Sequence, residues 1–281
     1  MAARYEGDAF RERFGPWALV AGGSDGIGAA FARSLARRGL NVALVARRQP
    51  PLESFAKSLA EETGVETRAI STDLTSDDPI AAIADATADL DVGLLVYNAG
   101  SNPAAGRFLD QEVDAARFLV ALSCRGPIEL AHHFGGRLRA RGRGGIVLMS
   151  SLASLAGSGF HATYAATKAF DTSLAEGLWI ELAPEGIDVL GVLAGATRTE
   201  TMLAQSSEAF ADAMDPAEVA EGALDHLGKG PCWVPGDDNR AAARGMSPLP
   251  RVPLVNGMTQ AGTALLGFEA PQVEGIEFDE D

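Results

Sequence analysis

The chain has 281 residues, of which 47% are hydrophobic and 22% charged, with 32 glycines. That apolar content excludes disorder for the bulk of the chain, and a core of this size needs no disulfide or metal staple. A net charge of −15 repels phosphate backbones and anionic headgroups, which excludes broad nucleic-acid or membrane-surface binding.

Residues 1–14 alternate charges without the apolar core of a signal peptide, and form an expected N-terminal extension. Short apolar runs at 17–21, 41–46, 66–71, 93–97, 144–150, 187–193 and 232–235 read as strands. Helical periodicity fills 26–38, 51–63, 77–89, 111–141, 162–183 and 216–229. Continuous apolar strands alternating with helices predict a parallel sheet covered on both faces. The expected fold is therefore a single α/β domain over 15–235, doubly wound around a seven-stranded parallel sheet, with ligands at the carboxyl ends of the strands. Beyond it, 236–268 is expected to pack near the active site or an interface, and the acidic 269–281 to be a disordered tail. No run approaches the ~20 apolar residues of a membrane span. Cys124 and Cys232 lie far apart and read as reduced thiols of a cytoplasmic protein.

The first strand runs into Ala21-Gly22-Gly23-Ser24-Asp25-Gly26-Ile27-Gly28 and then a helix. Glycines there permit a tight turn and let backbone approach a pyrophosphate at the helix N-terminus. Asp25 runs against this, since an acid beside phosphate costs energy. The second strand ends in Ala46-Arg47-Arg48, where an NAD-preferring site carries an acid for the ribose 2′-hydroxyl. Guanidinium groups suit a 2′-phosphate instead, so NADP(H) is the expected cofactor and NAD(H) the alternative. Asp73 follows the third strand and suits an adenine amino group, although helix capping explains it equally well. Asn98-Ala99-Gly100 after the fourth strand lets backbone and cofactor come close.

Tyr164-Ala165-Ala166-Thr167-Lys168 places phenol and ammonium one helical turn apart on one face. A nearby positive charge favours the phenolate, which makes a proton donor for ketone reduction and an acceptor for alcohol oxidation. Ser151, at the end of the fifth strand, reaches the same substrate oxygen; Ser150 would do so in a different strand register.

Together these motifs resemble the short-chain dehydrogenase/reductase family over nearly all of 15–235, and imply its Rossmann-like fold. The resemblance implies that Tyr164 is the acid/base, that Ser151 polarises the carbonyl, and that Lys168 binds the nicotinamide ribose and promotes the phenolate. It puts Ser123 where the family carries a relay asparagine. The family's Pro-Gly reads Ala194-Gly195, with Thr197 and Thr199 following and Thr199 set for the nicotinamide carboxamide. The family's Asn-Asn-Ala-Gly opens here with Tyr97, a space-filling ring. The glycine turn with Gly22, Ser24, Asp25, Gly26, Ile27 and Gly28, together with Leu74 beside Asp73, completes the implied cofactor site, and a homodimer or homotetramer is implied through the helices at 111–141 and 162–183.

Substrate walls are expected from Asn102, Phe108, Leu152, Phe160, Met202, Leu203, Phe210 and Met214. This mostly apolar set suits a hydrophobic ketone or secondary alcohol such as a steroid, terpenoid or alkyl-aryl compound, with 200–215 as a lid. No basic cluster beside it favours a 3-oxoacyl thioester, which stays an alternative, as do a non-catalytic dinucleotide sensor and a scaffold acting through its acidic tail. No metal is expected: His132-His133 lacks a third ligand at metal spacing. His161 reads as a surface group, and Arg137, Arg139, Arg141 and Arg143 suit a helix C-terminus.

Overall fold

In the computed structural model, which describes residues 3–101, 105–205 and 213–246, the seven apolar runs form one parallel sheet. Its strands are β1 (Trp17–Ala21), β2 (Asn41–Ala46), β3 (Thr67–Ser71), β4 (Val92–Tyr97), β5 (Gly144–Ser151), β6 (Ile187–Ala194) and β7 (Cys232–Trp233). They lie in the order β3-β2-β1-β4-β5-β6-β7, so the winding reverses between β1 and β4, where a crevice opens at the carboxyl ends. Side chains alternate between two cores. Ala18, Val20, Leu94 and Val96 point to one face, and Leu19, Ala21, Leu95 and Tyr97 to the other. Burial on both faces is why these strands read as unbroken apolar runs rather than as alternation.

The helices are α1 (Gly7–Phe14), α2 (Gly26–Arg37), α3 (Gln49–Thr63), α4 (Pro79–Ala86), α5 (Val113–Val120), α6 (Gly126–Arg141), α7 (Ala162–Leu182), α8 (Glu200–Gln205), α9 (Pro216–His226) and α10 (Asp237–Met246). The segment expected as an extension holds α1, whose Phe10 and Phe14 are fully buried with ring centroids 4.8 Å apart. They join the same core as α2 and α9. Arg37 of α2 and its C-cap Arg38 reach Glu221 of α9 at 2.8 and 2.9 Å, tying the first crossover helix to the last.

The helix expected over 111–141 is interrupted. Between α5 and α6, Ala121–Arg125 forms a π turn, and the Tyr97 hydroxyl donates to the Leu122 carbonyl inside it. A buried phenol that captures a helix carbonyl stabilises such an insertion, and π turns cluster at functional sites. The helix expected over 77–89 is also shorter, opening at the Asp78 cap, with Pro79 in its first turn. The tail at 269–281 lies outside the described residues.

Candidate active site

The glycine turn sits directly over the crevice. Gly22 has φ +77°, which favours glycine, and its N–H donates to the Val45 carbonyl at 2.8 Å. A Cβ on Gly22 would lie 2.7 Å from the Ala99 Cα, and one on Gly28 only 1.9 Å from the Gly22 carbonyl oxygen. Asn98 Nδ2 donates to that same oxygen at 3.0 Å, so the turn and Asn98-Ala99-Gly100 close on one another across the switch point. Side-chain-free backbone at a helix N-terminus fits a dinucleotide pyrophosphate. Asp25 has a structural task here: its Oδ1 accepts from Gly26 N at 2.6 Å and caps α2. Ser24 is half-buried, and Ile27 packs against the core.

Where the adenosine is expected, Arg47 and Arg48 are exposed at the end of β2. The Arg47 guanidinium stands 5.8 Å from the Phe118 ring centroid, within reach of solvent and of an incoming phosphate. Asp73 is exposed, and its Oδ1 accepts from both the Thr75 N–H and hydroxyl, at 2.9 and 2.7 Å. Partial burial works against the anion, yet these bonds hold the carboxyl below its ordinary range. Leu74 is buried beneath it.

At the catalytic end, β5 runs through Ser151 and fixes the register that the sequence left open. Ser150 is buried and its Oγ donates to the Lys168 carbonyl at 2.8 Å, with Thr172 Oγ1 at the same distance. Ser151 is half-buried at the strand end, and its Oγ accepts from Ala153 N at 3.2 Å, which leaves its proton to donate. Tyr164 is half-buried on the first turns of α7. Lys168 is 5% exposed, with Nζ 6.0 Å from the Tyr164 ring centroid and beside Gly100, where a Cβ would lie 3.8 Å away. Its ammonium donates to the Met149 carbonyl and to Asp171 Oδ2, each at 2.9 Å.

The structure brings Ser151, Tyr164 and Lys168 to one end of the sheet. Ser123 lies on the π turn, 1% exposed, and its Oγ has no hydrogen-bond partner among the described residues. Asp171, the buried partner of Lys168, is a neighbour that motif reading missed. Its signal was an acid three positions after Lys168, since i and i+3 side chains meet on a helix face.

Where the nicotinamide end is expected, Ala194 is buried and Gly195 half-buried. Thr197 is buried, and its Oγ1 donates to the Gly195 carbonyl at 3.1 Å. The Thr199 methyl abuts Gly26, where a Cβ would meet it at 2.8 Å, and its Oγ1 accepts from Met202 N at 3.3 Å. A Cβ on Gly195 would lie 2.6 Å from the Asn239 side-chain amide. Asn239, on α10, is therefore a second neighbour of the site that the motifs did not mark. Of the expected substrate walls, Phe108 is 64%, Phe160 60% and Leu203 42% exposed. Leu152, Met202 and Met214 are half-buried, whereas Asn102 and Phe210 lie outside the described residues. Phe160 has φ +63°, and its carbonyl accepts from Gly106 N at 2.8 Å, which joins the loop after β5 to the loop after β4.

Known proteins share this chain's sequence pattern and its fold. The family model of short chain dehydrogenases matches residues 16–209. A 7beta-hydroxysteroid dehydrogenase of Clostridium sardiniense is 36% identical over 251 residues, covering 88% of this chain and 95% of that protein. A short-chain dehydrogenase from Sphingobium yanoikuyae, solved in complex with NADPH, superposes with a TM-score of 0.73 at 30% identity, over 93% of this chain and 99% of its own. The bulky-bulky ketone specific alcohol dehydrogenase from Comamonas testosteroni superposes with a TM-score of 0.70 at 32% identity, over 93% and 97%.

Proposed function

Because this chain belongs to the short-chain dehydrogenase/reductase family, as an oxidoreductase acting on CH–OH groups, we propose that it interconverts a hydrophobic ketone and its secondary alcohol, preferring NADP(H) to NAD(H). The observation that carries the reading is the buried Lys168 ammonium held 6.0 Å from the Tyr164 ring centroid, at the strand end that bears Ser151. Arg47 and Arg48 support the NADP(H) preference, as does the NADPH bound by the Sphingobium relative. The exposed apolar side chains of Phe108, Phe160 and Leu203 support a hydrophobic substrate, in keeping with the named steroid and bulky-ketone relatives.

The glycine turn and Asn98-Ala99-Gly100 would hold the pyrophosphate, Arg47 and Arg48 the 2′-phosphate, Asp73 the adenine, and Lys168 with Thr199 the nicotinamide end. When bound, the cofactor supplies or accepts the hydride. Ser151 donates a hydrogen bond to the substrate oxygen, which gathers negative charge as the carbonyl is reduced. Tyr164 hands its phenolic proton to that oxygen in reduction and takes it back in oxidation. Lys168 supplies the positive charge that makes the phenolate attainable.

Carbonyl-dependent NADPH oxidation over a panel of hydrophobic ketones, with Tyr164→Phe as control, tests this. Turnover that falls at least ~100-fold in the control supports it. Turnover that survives Tyr164→Phe refutes the acid/base assignment, tight NADPH binding without turnover favours a sensor, and a 3-oxoacyl thioester outpacing every simple ketone moves the substrate to that class. The reading includes a homodimer or homotetramer, supported by exposed Val113, Val120 and Ile128 on α5 to α6, and a reducing cytoplasmic setting. Among the described residues no helix is long and apolar enough to cross a membrane.

A further inference from the structure

We propose that Asp171 is a positioning residue of the hydride-transfer site, its carboxylate clamping the Lys168 ammonium and offsetting its charge. This rests on the reading of Tyr164 and Lys168 given above and adds a charged partner to it.

The observations are geometric. Asp171 is 3% exposed and lies one turn beyond Lys168 on α7, with its Oδ2 2.9 Å from Nζ. The Met149 carbonyl takes a second ammonium proton at the same distance, so two of three donors are fixed by the protein and one is left for the site. A lysine stem is long and rotamer-rich, and two fixed bonds hold its charge in place beside Tyr164 and Gly100. The Asp171 Oδ1 and the Ser123 Oγ are both buried without a hydrogen-bond partner among the described residues. Ser123 thus makes no contact that would steer Lys168, and the carboxylate does.

The groups facing Asp171 can be named element by element. Lys168 stands on its own helix, Cys124 on the π turn and Tyr97 on β4, with Arg125 and Glu129 acting on Tyr97 from farther out. Burial pushes the Cys124 thiol up to about 11 and raises the Tyr97 phenol as well, so neither carries charge at neutral pH. Lys168 is the countercharge. Burial raises the Asp171 carboxyl to about 6 even though Lys168 favours the anion. The carboxylate is therefore present above about pH 6 and protonated below it.

This makes the consequence for catalysis directional. Above that pH the pair is close to neutral, and the ammonium favours the phenolate less than a lone lysine would. Asp171→Asn keeps an acceptor for Lys168 and removes the negative charge. A unit charge at roughly 10 Å and an effective dielectric near 20 corresponds to about one pH unit.

The test is the pH profile of kcat/KM for alcohol oxidation, compared between the wild type, Asp171→Asn and Asp171→Glu. The acid limb, which needs the phenolate, should move about one unit toward lower pH in Asp171→Asn and stay in place in Asp171→Glu, which keeps the charge. In ketone reduction, which needs the phenol, the alkaline limb should move the same way. The wild-type and Asp171→Asn curves should converge below pH 6, where the native carboxyl is itself protonated. Superimposable profiles of wild type and Asp171→Asn at all pH values would overturn the proposal, as would a shift of equal size in Asp171→Glu. Should Asp171→Asn not fold, Asp171→Leu removes the same charge and carries the same expectation. Survival of activity in Tyr164→Phe would instead refute the underlying acid/base assignment, so the two failures are distinct.

Discussion

Replacing Gly28 by alanine tests the cofactor cradle where its packing is tightest. The added methyl would sit 1.9 Å from the Gly22 carbonyl oxygen and 2.6 Å from Asn98 Nδ2, closer than carbon packs against either atom. The obstacle is backbone, so the turn must move by about 1 Å or more, and the 3.0 Å Asn98–Gly22 bond cannot survive that movement. Overpacking costs roughly 1–3 kcal/mol and the lost hydrogen bond about 1 kcal/mol. A total near 3 kcal/mol lowers Tm by roughly 6–12 °C for a domain of this size. Because the displaced backbone lines the proposed pyrophosphate site, NADPH affinity should weaken at least ~10-fold, or about 1.4 kcal/mol. Thermal unfolding and NADPH fluorescence titration read the two effects separately. Gly136→Ala on the exposed side of α6, where a Cβ meets nothing within 4 Å, should have the opposite sign and stabilise by about 0.5–1 kcal/mol through helix propensity. A Gly28→Ala protein with unchanged Tm and unchanged NADPH affinity would refute the packing reasoning.

Two other expectations concern charge. Partial burial of Glu221 favours its neutral form, but hydrogen bonds from Arg38 and Arg37 win and hold its carboxyl below the ordinary range. Its stabilisation is therefore complete above the unfolded-state value and is lost as pH falls through the folded one. Glu221→Gln should cost about 1 kcal/mol at pH 7 after solvent screening, with the deficit closing below about pH 4 and shrinking in high salt; a deficit independent of pH and salt would contradict it. Replacing Arg47 and Arg48 together by alanine should weaken NADPH binding by roughly 10- to 100-fold through lost charge-assisted contacts and leave NADH within about 2-fold, and equal losses for both cofactors would remove the arginines from the 2′-phosphate site.

What the sequence disclosed follows from which interactions are local. The strand runs and the glycine turn were legible because burial on both faces and a helix N-terminus each impose a pattern on contiguous residues. Tyr164 and Lys168 were legible because one helical turn separates them. The register at Ser150 and Ser151 was not, since it depends on how β5 meets α7, and only the bonds from Ser150 to Lys168 and Thr172 distinguish the two hydroxyls. The π turn escaped notice because its cause is a phenol 25 positions earlier in the chain. Tyr97 looked like a space-filling ring when its hydroxyl was invisible. Helix α1 escaped as well: its two buried phenylalanines are interspersed with charged residues, and only the strands β4 and β5 against which the helix packs give them meaning. Asn239 belongs to the same category, since nothing near it in sequence announces Gly195.

One side chain ties the two ends of the cofactor crevice together. Arg125 closes the π turn that carries Ser123 and Cys124, and its guanidinium reaches across to the Thr75 carbonyl at 2.9 Å and to the Ser76 carbonyl. Those carbonyls belong to the loop whose Thr75 holds Asp73. With the cofactor bound as proposed, its grip on the Asp73 loop would therefore also steady the turn packed behind Asp171 and Lys168, at the other end of the crevice. Recognition of the distant, unreacting half of the cofactor would then become a means of stiffening the reacting half. In such a molecule an adenosine fragment without its nicotinamide would act as more than a competitor: it would leave the catalytic helix quieter in hydrogen exchange than in the empty protein.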